Sequence, residues 1–241
     1  MLKRCFKGNT ILLDVLQQVT KLILEGLRYL HTECHVIHTD LKSDNILLSL
    51  RTPSILNSVA QDEMADPSPR KQLDAREIYL SQNRWACRLN SHPIQPEGYW
   101  APEVCLGREW RYSVDIWNLG VMLWDLSYGR GLFDTLLDKR RPACANKAHF
   151  AQIISLLGPP PPDLLARGKE IARYFDATGQ FRCPVLISKR DLLSLAKDVK
   201  NEGGVPEFTD FISKMLYWRP EDRATAEELL LHPWLAHKKR V

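Results

Sequence analysis

Between residues 11 and 30 the apolar side chains Leu12, Val15, Leu16, Val19, Leu22, Ile23, Leu27 and Leu30 recur at i, i+3, i+4 and i+7. That spacing predicts one buried stripe on a helix of about five turns. The chain then runs through "HVIH" and a polar loop, 39–45, into "NILL", a short apolar run that suits a buried strand. Residues 49–84 lose the pattern: they are polar, proline-containing and aperiodic, which predicts a surface loop or disordered insert. Helical signals return after Pro102. Ser113 stands where it can cap a helix over "VDIWNLGVMLWDLSYG", and Trp117, Val121 and Trp124 make that helix apolar enough to be central. "HFAQIISLLGPPPP" predicts a helix halted by glycine and prolines. "FTDFISKMLYW" repeats the helical stripe through Phe208, Phe211, Ile212, Met215 and Leu216. Thr225 and Glu228 have capping-box spacing ahead of a helix that stops near Pro233. No repeat is present, and the pattern predicts one mainly α domain across 1–241 with few short strands.

Composition narrows the function classes. Hydrophobic residues at 44% and charged residues at 26% fit a globular chain. No apolar run approaches the roughly 20 residues of a membrane helix, and "MLKRCFKGNT" has no apolar h-region of a secretory signal. Six cysteines lie scattered without CxxC spacing, which predicts reduced thiols and a cytoplasmic or nuclear location. A net charge of +4, spread along the chain, gives no basis for direct nucleic-acid binding. "DKRR" (138–141) and "HKKR" (237–240) read as a solvated surface or tail in preference to a localisation signal.

The chemistry is concentrated in "HVIHTDLKSDNILL", residues 35–48, which places Asp40, Lys42 and Asn45 just after the first helix. Such a cluster suits a phosphate, a metal ion and a hydroxyl proton. "APE" (101–103), "DIWNLG" (115–120) and "RPEDRATAEELLLHPWL" (219–235) follow in that order. Together they resemble the C-terminal lobe of a eukaryotic protein kinase. "HTD", "IQPEGYWAPEV", "YSVDIWNLGVMLWDL" and "AQIISLLGPPPPDLLARGK" further resemble the SR-protein kinases, the fungal group in particular, from about residue 10 to 236.

The resemblance implies a protein-kinase-like C-terminal lobe and an ATP- and Mg-dependent serine/threonine kinase acting on Arg/Ser-rich splicing or RNA-processing factors. Asp40 would orient the substrate hydroxyl and accept its proton, Lys42 would contact the transferring phosphate, and Asn45 would hold Mg through its side-chain oxygen. Glu103 and Arg223 match a buried ion pair that pins "APE" to the helical core; Asp115 matches an aspartate that accepts backbone hydrogen bonds from the catalytic loop. His38 takes a structural role, packing at the base of the loop. Thr39 stands where arginine is common and offers no cation to a phosphorylated activation loop. Ser43 replaces a common proline, and Trp100 replaces an arginine in a way expected to disturb the substrate-side pocket. Cys34, His35 and His38 lack a second ligand pair, so a core cysteine and histidine are favoured over a metal cluster.

Two parts of the kinase pattern have no counterpart. Only 39 residues precede Asp40, their glycines are Gly8 and Gly26, and Lys3, Lys7 and Lys21 lack a valine-alanine-isoleucine strand, so no nucleotide-binding lobe is expected. Asp62, Asp66 and Asp74 are the aspartates between Asn45 and Ala101, and none has glycine two residues later, as the metal-binding D-[FL]-G tripeptide requires. The chain is therefore expected to be inactive alone. Asp163, Glu170 and Asp176 are candidate docking acids for basic substrates, with solvated surface as the default. A pseudokinase-like binding module for basic peptides and a truncated product without a stable role remain alternatives.

Overall fold

The first long helix, α1 (Leu13–Thr32), buries Leu16, Gln17, Thr20, Leu24 and Leu27. The buried line thus runs through Leu24 and leaves Leu22, expected in the stripe, 68% exposed. Two residues turn a helix by about 200°, so these two leucines face opposite ways. Gln17 compensates its burial by donating Nε2–H to the Trp234 carbonyl at 2.6 Å.

The computed structural model describes residues 11, 13–46, 61, 64–65, 70–73, 76–79, 95, 98–133, 142–166, 168–176, 178–182, 188–197 and 205–236. The chain divides into two units, Met1–Ile46 with Pro93–Val241, and Leu47–His92. In the smaller unit β1 (Arg70–Leu73) and β2 (Arg76–Tyr79) pair antiparallel, from Arg70↔Tyr79 to Leu73↔Arg76. The irregularity expected over 49–84 is thereby corrected for these strands. Neither "RKQL" nor "REIY" alternates apolar and polar residues clearly enough to signal a strand. Apart from positions 61, 64 and 65, the remainder of 49–84 lies outside the described residues, as do positions 47 and 48 of the "NILL" strand. Its first residue, Asn45, closes a 3-10 turn (Ser43–Asn45) instead.

The larger unit is built around α3 (Ser113–Tyr128), which follows the single turn α2 (Pro102–Cys105). Every residue of α3 from Val114 to Tyr128 is buried. A helix buried on every side sits inside the core, and its buried Asp115 and Asp125 are met by hydrogen bonds there. Ser113 is its first helical residue, not its cap; Tyr112 precedes it and makes no side-chain cap bond. Gly129 ends the helix at φ 66°, donating its N–H to the Asp125 carbonyl. A methyl group on Gly120 would stand 3.1 Å from Met215 and 3.2 Å from Leu216, so the chain after α8 packs directly on the α3 backbone.

Around α3 lie α4 (Pro142–Leu157), α5 (Pro162–Leu165), α6 (Ile171–Tyr174), α7 (Leu192–Lys197), α8 (Val205–Ser213), α9 (Ala226–Leu230) and α10 (Pro233–Ala236). α4 stops at Gly158, φ 79°, before the prolines. The stripe through Phe208, Phe211, Ile212, Met215 and Leu216 is buried throughout, although α8 itself ends at Ser213. The capping box forms as its spacing predicts: Thr225 Oγ1 accepts the Glu228 amide, and Glu228 accepts the Thr225 amide at 2.7 Å. α1 packs against α3, α9 and α10, so the polar loop after α1 emerges beside the start of α3. Among the described residues, no helix is long and apolar enough to cross a membrane.

Candidate active site

α1 ends at Thr32, and the chain reaches Asp40 without further helix or strand. Such a loop needs outside partners to hold one shape. Asp115, in the first turn of α3 with a fully buried side chain, supplies them. Its Oδ2 accepts the His38 amide at 2.7 Å, its Oδ1 accepts the Thr39 amide at 2.8 Å, and His31 Nε2 lies 2.9 Å from Oδ2. Three polar partners meet a carboxylate that burial would otherwise penalise by several kcal/mol. Thr39 adopts φ 65°, an outlier for a β-branched residue, and the bond from its amide to Asp115 holds it there.

Beyond Thr39 the side chains alternate. Leu41 is buried, while Asp40 and Lys42 on either side are part-exposed. Lys42 Nζ stands 2.9 Å from Asp40 Oδ2 and 3.0 Å from Oδ1. The 3-10 turn brings Asn45 back, so that its Nδ2 donates to the Asp40 carbonyl at 2.7 Å and to Asp40 Oδ2 at 2.8 Å. Asn45 Oδ1 remains as the acceptor of that amide. The three candidate residues thus form one bonded cluster around a carboxylate that is 49% exposed.

The second anchor is the pair of Glu103 and Arg223, 120 residues apart and almost wholly enclosed. Arg223 Nη1 and Nη2 each meet a Glu103 carboxylate oxygen at 2.7 Å. Its remaining donors reach the carbonyls of Ser113 and Tyr217, and its guanidinium lies 5.0 Å over the Trp117 ring. All five N–H groups are used. Removing one partner of such a pair costs about 3–5 kcal/mol, because the other charge stays buried.

Trp100, expected to disturb the pocket before "APE", is tied down. Its Nε1 donates to the Gln95 carbonyl at 2.9 Å, and the Gln95 side chain accepts the Ala101 amide at 2.8 Å. His149 on α4 holds the Trp100 carbonyl at 2.8 Å through Nε2. Burial pushes the His149 pKa down to about 4, partly opposed by that bond. Tyr99 donates to Asp125 Oδ2 at 2.7 Å, and its pKa is raised well above the phenolic range by burial and by that carboxylate.

Several expectations are corrected. The His38 side chain is exposed and does not pack at the loop base; only its amide reaches Asp115. The imidazole that meets Asp115 belongs to His31, which also stacks on Tyr112 at 4.8 Å. Its one sequence signal is a basic residue in the last turn of α1. Cys34 and His35 are exposed, not core. The three docking acids are engaged locally: Asp163 by Arg219 in a two-bond pair, Glu170 by Arg173 at 3.5 Å, and Asp176 by Thr178 and Gln180 within its own turn. Gln95, which also organises the approach to "APE", had no signal in the sequence.

Residues 2–235 match the family model of the protein kinase domain. Among curated proteins the chain is similar to a serine/threonine protein kinase of Aspergillus fumigatus, 34% identical over 244 residues that cover 92% of this chain and 58% of the relative. It is similar to the serine/threonine-protein kinase SRPK of Physarum polycephalum, 30% identical over 273 residues, 96% of this chain and 62% of the relative. It is also similar to the serine/threonine-protein kinase SKY1 of Saccharomyces cerevisiae, 34% identical over 174 residues, 70% of this chain and 23% of the relative. The chain spans less than two thirds of the length of each of these relatives.

Proposed function

Because the chain belongs to the protein kinase family, we propose that Asp40, Lys42 and Asn45 are the phosphoryl-transfer residues of a cytoplasmic or nuclear serine/threonine kinase acting on Arg/Ser-rich proteins. The observation that carries this reading is the bonded cluster around the Asp40 carboxylate, on a loop pinned to Asp115. Asp40 takes the proton of a substrate serine as its oxygen attacks the γ-phosphorus of ATP; the new O–P bond forms as the bond to the ADP oxygen breaks. The Lys42 ammonium balances charge on the transferring group while fixing the direction of the Asp40 carboxylate. Thr39 presents no cation toward an activation loop, so the reaction proceeds without phosphorylation there. The substrate class rests on the likeness to SR-protein kinases.

The family implies Mg, which would neutralise charge on the nucleotide phosphates. The described residues fit it incompletely. Asn45 Oδ1 is a hard oxygen in the right chemistry, but its amide nitrogen and Lys42 occupy the Asp40 carboxylate. Among the described residues, no three His, Cys, Asp or Glu side chains gather around one point. Mg is normally held by one or two carboxylates together with substrate phosphates. This favours a second reading, a binding module for basic peptides that shares the kinase scaffold.

The two readings separate in a chimera that supplies the glycine-rich loop, strand lysine and metal aspartate of an active SR-protein kinase. The chimera should phosphorylate an Arg/Ser peptide, and Asp40→Asn should lower turnover by about 10²–10⁴ while ATP affinity stays nearly constant. A variant with near-normal single-turnover rates removes Asp40 from the base role.

A further inference from the structure

Behind the catalytic loop, the end of α1, the start of α3 and the chain entering α9 enclose a cavity of about 370 Å³. None of Asp40, Lys42 or Asn45 lines it. Its walls include the Tyr112 ring, Ile116 and Pro220, and Tyr112 keeps 37% of its surface exposed. The volume lies near the lower end for ligand pockets, room for one long side chain or a single ring.

The charges at this cavity are unequal. Glu221 and Glu227 both line it and are exposed; among the described residues neither forms an ion pair or a side-chain hydrogen bond, and Glu221 is near enough to Arg219 to act on its charge, while Arg219 itself is bonded to Asp163. On the cationic side, His31 is engaged with Asp115 and Arg223 is neutralised by Glu103. Arg28 is the one further cation lining the cavity, and it is exposed. Among the lining residues, two carboxylates against one guanidinium leave an excess negative charge beside the Tyr112 ring, which His31 stacks on at 4.8 Å and which is still 37% exposed. The occupant that satisfies both features is planar, cationic and carried on an apolar stem.

We propose that this cavity docks an arginine side chain of a basic peptide. The guanidinium lies flat on the Tyr112 ring and its fork of donors reaches Glu221 and Glu227, while the methylene stem fills the space against Ile116 and Pro220. The inference rests on the proposed Arg/Ser-rich substrate class and moves docking away from Asp163, Glu170 and Asp176, which are already engaged. Lysine is a poorer occupant, since a compact ammonium neither stacks nor forks.

The test is direct binding, by fluorescence anisotropy, of a labelled eight-repeat Arg-Ser peptide to the 241-residue polypeptide. Glu221→Gln with Glu227→Gln alters only exposed side chains, and circular dichroism checks that the fold is kept. The double variant should bind at least about tenfold more weakly, the loss expected for one or two charge-assisted bonds. Tyr112→Leu should weaken binding as well, and a Lys-Ser peptide should bind less tightly than the Arg-Ser peptide. Binding by the double variant within twofold of wild type, equal binding of the two peptides, or no binding to wild type each overturns the proposal. So does preferential binding of a phosphoserine peptide that is lost on Arg28→Ala, which would make this an anion site. Because no phosphate transfer is measured, failure of the Asp40 experiment leaves this result readable. Conversely, Arg-Ser binding unchanged by the double variant removes the pocket and leaves the kinase reading standing.

Discussion

His149 is a neutral imidazole held inside the molecule, with 3% of its surface exposed and its Nε2 committed to the Trp100 carbonyl. Its Nδ1 is buried without a partner. A proton there would find neither water nor a carboxylate, which is why its pKa falls from 6.5 to about 4. The unfolded chain therefore binds more protons than the folded one between these values. Stability contributed by neutral His149 is complete above pH 6.5 and is lost as pH falls toward 4, by roughly 3 kcal/mol. Urea denaturation across this range should show that loss in the wild type and a flatter profile for His149→Gln, which keeps a donor for Trp100. At this scale the sequence was legible where the likeness to protein kinases singled out a residue and silent where position alone decides. Charge could not choose one acid and one base from the 29 acidic and 33 basic residues; the resemblance paired Glu103 with Arg223, and they meet at 2.7 Å. Between His31 and His38, the sequence could not tell which imidazole would meet Asp115. The answer depends on where α1 ends relative to α3.

Local rules govern the elements. The capping box was readable because Thr225 and Glu228 satisfy orphan amides within four residues of chain. α9 has only five residues, so its start is a large share of it. Thr225→Ala should lower stability by about 1 kcal/mol in denaturant unfolding. The bonds from the Thr225 amide and hydroxyl hold the Glu228 carboxyl below its ordinary pKa, so the reciprocal half of the box is lost as pH falls through that lowered value. Ser113 invited a cap reading and failed it: it is the first helical residue of α3, and its carbonyl accepts Arg223 Nη1–H. The hairpin at 70–79 failed in the other direction. Its pairing is backbone to backbone, and its side chains carry too little alternation to announce it.

For the molecule as a whole, the scaffold and the cluster proposed for phosphoryl transfer are present, and among the described residues no three His, Cys, Asp or Glu side chains stand together for a metal ion. Asn45 offers one neutral oxygen, and an ion with one such ligand keeps its water. The 241-residue polypeptide should accordingly give no micromolar heat with Mg·ATP in isothermal titration and no radiolabel transfer to an Arg/Ser peptide. Stoichiometric binding, or transfer abolished by Asp40→Ala, contradicts this. The buried carboxylate of Asp115 has a further consequence, in the language of hydrogen exchange. The His38 and Thr39 amides belong to a loop with no helix or strand, a setting in which amides commonly exchange through small local openings. Here both point at oxygens buried on α3, so releasing them means parting the loop from the central helix. In native-state exchange under low denaturant, these two amides should follow the slowest amides of α3 and respond to denaturant as steeply as global unfolding does.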